Sequence, residues 1–232
     1  MINPIYFLHK THPSLKKVLK NNIDFYKRLN AYDKLKFEYR VSKFIKKHNF
    51  VGRGNVVISP VKKVIISSIA IMITFKMQNY LYKHFENILI YPSNFLSKAT
   101  NQMHKGETNP KVKAIVFSWE GFVKGIQIPD DNLNLGIHEF THALYFSFLK
   151  QNDAEAKNFI RNYKQIVHFT KDPLEKKKLV KANYLRDYAF ENQHEFFAVI
   201  TENYFETPLE FRAKLPELFM AANNLYRIYN HK

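Results

Sequence analysis

The chain has 232 residues, a hydrophobic content of 46% and no cysteine, which excludes disulfides and cysteine-ligated zinc. A chain of this length can bury one sizeable core, and no Gly/Ser- or Pro-rich linker divides it, so we expect one domain with room for two lobes. The formal charge of +16 comes from scattered basic residues that are mostly lysine, which favours a solvated surface over specific nucleic-acid recognition.

The first residues carry no targeting motif. Residues 1–8 have neither a long apolar run nor a small-residue cleavage site, and Lys10 follows the apolar residues instead of preceding them. A secretory signal peptide has the opposite order. The sequence therefore predicts a cytoplasmic protein. Residues 1–34 hold helix-compatible segments without a chemical motif, and we interpret them as an N-terminal extension.

An amphipathic helix and a short strand are predicted next. Residues 35–49 place apolar side chains between basic ones at helical spacing. Gly52 and Gly54 then break the helix, and the β-branched residues 56–58 predict a strand.

A second helix is predicted to begin at Pro60. Ser59 followed by Pro60 is typical of a helix N-cap and its first turn, and the helical pattern extends to about Met77. The apolar run within it, residues 64–75, is shorter than the about 20 residues that cross a bilayer. We therefore expect a buried helix and no membrane span.

The remaining strands precede a largely helical second half. Residues 88–91 and 112–117 are β-rich runs bounded by polar or proline-containing turns. From Asn132 onward the pattern is almost wholly helical. A small sheet followed by helices predicts an α+β fold in which the helix after Asn132 packs beneath the sheet. The run 112–117 is predicted to be an edge strand that could hold an extended peptide.

The predicted helix over residues 133–150 contains the sequence His138-Glu139-Phe140-Thr141-His142. Positions i and i+4 share one face of a helix, so the two imidazoles can offer ring nitrogens to one zinc ion at roughly 2.0–2.1 Å. Glu139 lies about 100° round the helix, where its carboxylate can accept a proton from water without binding the metal. The alternative is a pair of core or solvated histidines, but the apolar helix favours the metal site.

A third ligand has to come from elsewhere, because a catalytic zinc site usually has three protein ligands and a position for water. The segment 188–202 is predicted to form one long helix. Its glutamates, Glu191, Glu195 and Glu202, fall within roughly 40° of each other, so helical periodicity does not choose among them. His194 is also a ligand type, but it lies a quarter-turn away, which favours a packing or surface role.

Several blocks of the sequence carry a family resemblance. They are Ile90-Tyr-Pro-Ser-Asn-Phe95, Val116-Phe-Ser-Trp119, Gly136-Ile-His-Glu-Phe-Thr-His-Ala-Leu144, and Asn192-Gln-His-Glu-Phe-Phe-Ala-Val199 followed by Glu202, Tyr204, Phe205 and Pro208. Together they resemble the zinc peptidases of the Mlc titration factor A (MtfA) family over roughly residues 35–218. The resemblance implies a zincin-like, predominantly helical peptidase domain over residues 35–232, related to the catalytic domain of anthrax lethal factor.

The resemblance also implies a ligand set. The family's zinc ligands correspond here to His138, His142 and Glu195, with one zinc ion per chain. It is therefore the resemblance that chooses Glu195 from the three glutamates.

A catalytic tyrosine is implied in the same way. The family carries a tyrosine seven residues before its glutamate ligand, which corresponds to Tyr188, and its phenol could reach a substrate carbonyl oxygen. A structural role is the alternative, because the chain has 14 tyrosines and Tyr184 precedes Glu191 by the same spacing. For Glu202 we expect either a hydrogen bond from a ligating histidine or an ion pair.

The function implied is zinc-dependent peptide hydrolysis with Glu139 as general base. MtfA relatives are described as aminopeptidase-like and as binding a transcriptional repressor, so a peptide substrate and a transcriptional regulator are the implied partners. One alternative is a non-catalytic zinc protein that sequesters a regulator, and another is a basic nucleic-acid-associated protein with incidental histidines. Glu139 argues against the first, because a structural site is usually closed by four ligands and gains nothing from a free carboxylate.

Overall fold

The computed structural model describes residues 4–8 and 11–229, and within them helices outweigh a small sheet. The helices are α1 (Ile5–Leu8), α2 (Pro13–Asn22), α3 (Asp24–Arg28), α4 (Ala31–Lys47), α5 (Pro60–Ile73), α6 (Trp119–Gln127), α7 (Leu135–Leu149), α8 (Ala154–Lys171), α9 (Pro173–Ala182), α10 (Gln193–Glu206), α11 (Pro208–Lys214) and α12 (Pro216–Tyr226). The strands are β1 (Asn49–Gly52), β2 (Asn87–Tyr91), β3 (Phe95–Leu96), β4 (Met103–His104), β5 (Gly106–Asn109) and β6 (Ala114–Ser118).

Four strands form one sheet in the order β1–β2–β6–β5. The first three are parallel, and β5 pairs antiparallel with β6. β3 and β4 form a separate antiparallel pair. The sheet precedes α7 in the chain and helices follow it, which confirms the predicted α+β arrangement.

The strand predicted over residues 112–117 exists as β6, but the prediction that it forms an edge was wrong. β6 lies between β2 and β5, and every one of its residues is buried. The edge strand beside β6 is β5, whose sequence Gly-Glu-Thr-Asn has little of the β-branched and aromatic character that marks a strand. A turn that includes Lys113 at φ 52° folds β5 back against β6.

The strand predicted over residues 56–58 was also wrong. The chain forms β1 earlier, at Asn49–Gly52, where it pairs with β2. Gly54 and Asn55, both at positive φ, then turn the chain away from the sheet, and Val57 is 77% exposed. The β-branched residues here therefore belong to a loop.

The predicted helix start at Pro60 is confirmed by α5, which ends at Ile73, four residues before the predicted end at Met77. The Ser59 side chain accepts a hydrogen bond from the amide of Lys62, and Pro60 occupies the first turn. Nine residues of α5 are buried, because α4, α2 and α7 pack around it. No helix within the described residues combines the length and apolar character needed to cross a bilayer.

The main core joins the sheet to α7 and to the first helices. The Phe140 ring of α7 lies 5.2 Å from that of Phe117 in β6 and 5.9 Å from that of Phe44 in α4. Leu19 and Tyr26 of the first 34 residues belong to the same core. The domain boundary at residue 34 stays a prediction.

The single helix predicted over residues 188–202 was wrong. A short 3₁₀ helix, Asp187–Phe190, comes first and α10 begins at Gln193. Between them the side chain of Asn192 accepts hydrogen bonds from the amides of His194 and Glu195. This N-cap starts a new helix.

Candidate metal centre

Helix α7 presents His138 and His142 on one face, one turn apart. The Asn134 side chain caps the helix by accepting a hydrogen bond from the amide of Ile137, and α7 is buried along most of its length. The two imidazoles turn their Nε2 atoms towards each other, 3.1 Å apart.

Helix α10 adds the carboxylate of Glu195. Its Oε2 atom lies 2.9 Å from His138 Nε2 and 3.4 Å from His142 Nε2. Two ligands at roughly 2.0–2.1 Å from one tetrahedral zinc ion lie about 3.3 Å apart, so a triangle of this size fits one ion. The structure thus brings together His138, His142 and Glu195, whose ligand atoms all lie within 4.8 Å of one another, and leaves Glu191 outside the group.

Glu202 binds His138 at Nδ1, the ring nitrogen that does not face Glu195. Its Oε1 atom lies 2.7 Å from His138 Nδ1, and the backbone amide of Asn134 donates to its Oε2 atom. Arg186 donates to both carboxylate oxygens at 2.8 and 3.1 Å, and its Nη1 also donates to the carbonyl of Asn132. Glu202 therefore combines the two roles expected of it, a hydrogen bond from the imidazole and an ion pair.

The donor set calls for a cation at the centre of the triangle. With Nδ1 donating to Glu202, the neutral His138 ring presents a bare Nε2 lone pair to the carboxylate of Glu195. Two acceptors at 2.9 Å repel unless a proton or a metal ion lies between them. The residues present therefore fit a divalent metal ion.

The pKa shifts of His138 and Glu195 also indicate a positive charge between these two side chains. Burial alone would lower the pKa of His138, but hydrogen bonds with Glu195 and Glu202 outweigh burial and raise it to about 10. Burial alone would raise the pKa of Glu195, but hydrogen bonds from His138 and His142 lower it well below its usual range. A metal ion that binds here takes the place of the proton.

Glu139 lies beside the ligand group without joining it. Its side chain is buried, and Thr108 Oγ1 lies 2.8 Å from its Oε2 atom and 2.9 Å from its backbone carbonyl oxygen. Burial raises the pKa of Glu139, while His138, His142 and the hydrogen bond from Thr108 oppose the rise. This carboxylate is therefore placed to exchange protons.

The edge strand β5 approaches Glu139 closely at Gly106. A Cβ atom on Gly106 would lie 2.5 Å from Glu139 Oε1 and 2.7 Å from Leu135 Cδ1, so a larger residue would displace the carboxylate. The amide of Ser118 donates to the carbonyl of Lys105, and the alternation of an antiparallel ladder then turns the backbone N–H and C=O groups of Gly106 and Thr108 away from β6. These groups face the open edge of the sheet beside the candidate centre.

Tyr188 lies next to the centre although it is not on α10. Its ring centroid is 5.8 Å from that of His138, and 42% of the residue is exposed. Burial of the phenol, then the charge of Glu195 and a hydrogen bond with it, raises the pKa of Tyr188, so the hydroxyl keeps its proton at neutral pH.

The other two candidates from the sequence lie in different surroundings. The Tyr184 hydroxyl pairs with Thr207 Oγ1 at 3.0 Å, and its ring stacks on Phe211. The His194 ring packs against Tyr145 at 4.8 Å and belongs outside the ligand group.

Three residues of the site were not predicted from the sequence. Thr108 and Gly106 lie on a strand without a strand signal, about 30 residues before the motif that they contact. Arg186 lies in a loop, and no local pattern points to its ion pair with Glu202. The contacts of all three depend on tertiary structure.

A cavity of about 350 Å³ opens beside the centre, and His138, Glu139 and Tyr188 line it. A larger groove of about 780 Å³ runs along α8 and is lined by residues such as Phe148, Ile160 and Lys164. The ligand group lies outside that groove, whereas the smaller cavity adjoins His138 and Glu139.

Comparison with known proteins shows which family and which relative the chain is similar to. A family model described as "Glucose-regulated metallo-peptidase M90" matches residues 6–227. A curated relative, "Uncharacterized protein slr2042" of Synechocystis sp., is 21% identical over 236 residues, which cover 92% of this chain and 83% of that protein.

Proposed function

The chain belongs to the glucose-regulated metallo-peptidase M90 family, and from this we propose that it is a zinc-dependent peptidase with one zinc ion held by His138, His142 and Glu195. The observation that carries the proposal is the separation of two kinds of acidic group. Glu195 points into the triangle of ligand atoms, whereas Glu139 lies beside it. A zincin-like arrangement related to anthrax lethal factor stays part of this proposal.

When bound, zinc supplies Lewis acidity that lowers the pKa of water towards roughly 7. Glu139 accepts the proton of the attacking water and passes it to the leaving amine, which its raised pKa favours. Tyr188 donates a hydrogen bond to the carbonyl oxygen of the scissile bond as negative charge develops there. Glu202 keeps His138 in the tautomer that leaves Nε2 free.

The edge of β5 supplies a place for the substrate backbone. Its outward N–H and C=O groups at Gly106 and Thr108 can pair with an extended peptide, which is the role that the sequence analysis gave to β6. A peptide bound along this edge passes beside Glu139, which contacts both residues. The substrate is therefore an extended peptide or an exposed protein segment.

The non-catalytic alternative explains less of the site. A regulator that uses zinc structurally gains nothing from a buried Glu139 with a dedicated hydrogen bond from Thr108. Aminopeptidase activity, a transcriptional regulator as partner and a cytoplasmic location stay predictions from the sequence.

Three variants test the proposal. Glu139→Gln keeps the size of the side chain and removes the base, so we expect hydrolysis of a mixed panel of internally quenched and aminoacyl peptides to fall by at least about a hundredfold. Zinc content, measured by elemental analysis, should stay near one ion per chain. Glu195→Ala should lose zinc and Glu191→Ala should keep it. Full activity in Glu139→Gln would refute the hydrolytic mechanism.

A further inference from the structure

The cavity beside the candidate centre has an apolar wall and a glycine at its edge. The wall is formed by Met103, Leu133, Leu135 and Tyr188. Gly121 on α6 also lines the cavity and packs too closely for a side chain, because a Cβ atom there would lie 2.6 Å from Ser118 Oγ and 3.0 Å from Leu135 Cδ2. The volume of about 350 Å³ accommodates one or two amino-acid side chains.

Two lysines give this cavity an unbalanced positive charge. Lys105 directly precedes β5, and Lys124 follows Gly121 by one helical turn on α6, so both line the same cavity. Both are exposed, and neither side chain forms an ion pair or hydrogen bond with another residue in the part of the chain that the structure describes.

The carboxylates of the cavity do not neutralise these lysines. Glu139 and Glu202 are the acidic residues among those that line it. Glu202 is paired with Arg186 and His138, and Glu139 is held by Thr108 and committed to proton transfer in the proposed mechanism. A substrate amine would therefore find no free carboxylate here, whereas a substrate carboxylate would find two ammonium groups.

The direction of β5 indicates which part of a substrate reaches the cavity. The cavity lies at the start of the strand, where Met103, Lys105 and Gly106 line it. A peptide paired antiparallel with β5, the commoner and slightly more stable pairing, runs from Asn109 towards Gly106. If the scissile bond lies beside Glu139, the residue that follows this bond is on the side of the cavity.

We propose that Lys105 and Lys124 bind a carboxylate of the substrate residue that follows the scissile bond. The carboxylate is either the side chain of aspartate or glutamate at that position or the C-terminal carboxylate of a peptide that ends there. This inference rests on the proposed peptidase function and gives it a substrate class, peptides that carry negative charge on the carboxyl side of the cleaved bond.

Matched peptides test the preference. The cleavage site of a host peptide is first mapped by mass spectrometry. Variants of this peptide then carry Glu, Gln or Lys directly after the scissile bond. Each variant ends either at that residue or four residues later, and each is made with a free and with an amidated C-terminus. For an exposed ion pair we expect kcat/KM to be about fivefold higher for Glu than for Gln, and lower again for Lys. A preference that follows the free terminus instead of the Glu side chain assigns the site to a C-terminal carboxylate. Affinity for zinc-loaded Glu139→Gln, measured by fluorescence anisotropy, should show the same order without turnover.

Reversing the charge of each lysine tests whether Lys105 and Lys124 cause the preference for Glu over Gln. Lys124→Glu and Lys105→Glu should each turn the Glu-over-Gln preference towards Lys, and the effect in the parent protein should weaken as salt rises. Lys177→Glu is the matched control, because it makes the same change in net charge on the exposed face of α9, away from the cavity.

The outcomes separate the two proposals. Hydrolysis that is equal for the Glu, Gln and Lys peptides, or an equal shift in Lys177→Glu, overturns the carboxylate site and leaves the peptidase proposal standing. If the parent protein hydrolyses no peptide, the exchange of Glu, Gln and Lys is made at each position of one peptide in turn. Ordered binding to zinc-loaded Glu139→Gln at one position then keeps the carboxylate site and overturns the peptidase proposal.

Discussion

At the scale of single residues, the hydroxyl of Thr108 is the contact that fixes Glu139. It lies within hydrogen-bond distance of both the side-chain and the backbone oxygen of Glu139, and it reaches them from a strand whose outer edge is open. A buried carboxylate without this donor would be free to turn towards the ligand triangle. Thr108 is thus a positioning residue for the proposed base.

Replacement of Thr108 by valine keeps the shape and removes the donor. A hydrogen bond to an ionised carboxylate contributes about 1.5–3 kcal/mol, so we expect kcat to fall by roughly 10- to 100-fold and zinc content to stay unchanged. Thr108→Ser, which keeps the hydroxyl, should recover most of the loss. Steady-state kinetics on zinc-loaded protein measure both, and equal activity of the valine and serine variants would argue against the positioning role.

Tyr188 also has a role in the proposed mechanism without being a proposed ligand. Tyr188→Phe removes a hydroxyl near Glu195, and loss of an oxyanion donor should lower kcat by roughly 10²–10³ with little change in KM. Tyr184→Phe is the matched control, because the Tyr184 hydroxyl pairs with Thr207 and leaves the centre untouched. Full activity in Tyr188→Phe would spare the hydrolytic mechanism and reassign the oxyanion donor alone.

At the scale of elements, the break between the 3₁₀ helix and α10 does two things at once. It lets Tyr188 approach the His138 ring from a separate element, and it places Glu195 in the first turn of α10. The signal for the break is present in the sequence, since Asn192 followed three residues later by Glu195 is the pattern of a helix start. Apolar periodicity across residues 188–202 hid it.

The cap at Asn192 should therefore tune the metal site as well as the fold. Asn192→Ala removes the acceptor for the amides of His194 and Glu195, which should cost about 1 kcal/mol of unfolding free energy and weaken zinc binding. Asn30→Ala removes the comparable cap of α4, far from the ligands, so it should lower stability without changing zinc affinity. Denaturant unfolding of the zinc-free proteins and zinc titration separate the two effects. Unchanged zinc affinity in Asn192→Ala would show that α10 holds Glu195 without its cap.

The elements also show where sequence reasoning reaches its limit. The Ser59–Pro60 start of α5 and the buried helix α7 follow from local patterns, so the sequence predicted them. β5 does not follow from a local pattern, because a polar strand of four residues becomes recognisable only through its pairing with β6. The ligand triangle behaves likewise: helical spacing brings His138 and His142 together, whereas family resemblance was needed to choose Glu195.

At the scale of the whole molecule, the centre joins two parts of the chain that are far apart in sequence. His138 and His142 lie on α7 and Glu195 lies on α10, and these two helices pack directly on each other in the main core. A metal ion at the triangle is therefore a crosslink between two core elements. A ligand that binds the folded protein but not the unfolded chain stabilises the folded protein by mass action.

Metal removal should accordingly lower the melting temperature of the whole protein. At free zinc about a hundredfold above Kd, binding contributes about 2.7 kcal/mol, which corresponds to a rise in Tm of roughly 5–10 °C for a domain of this size. Glu139→Gln should show the same rise, because its side chain lies outside the ligand triangle, while His142→Ala and Glu195→Ala should show little or none. Calorimetry of each protein with chelator and with added zinc makes the comparison. A full zinc-dependent rise in Glu195→Ala would remove α10 from the metal site and leave the two histidines of α7 in need of a different third ligand.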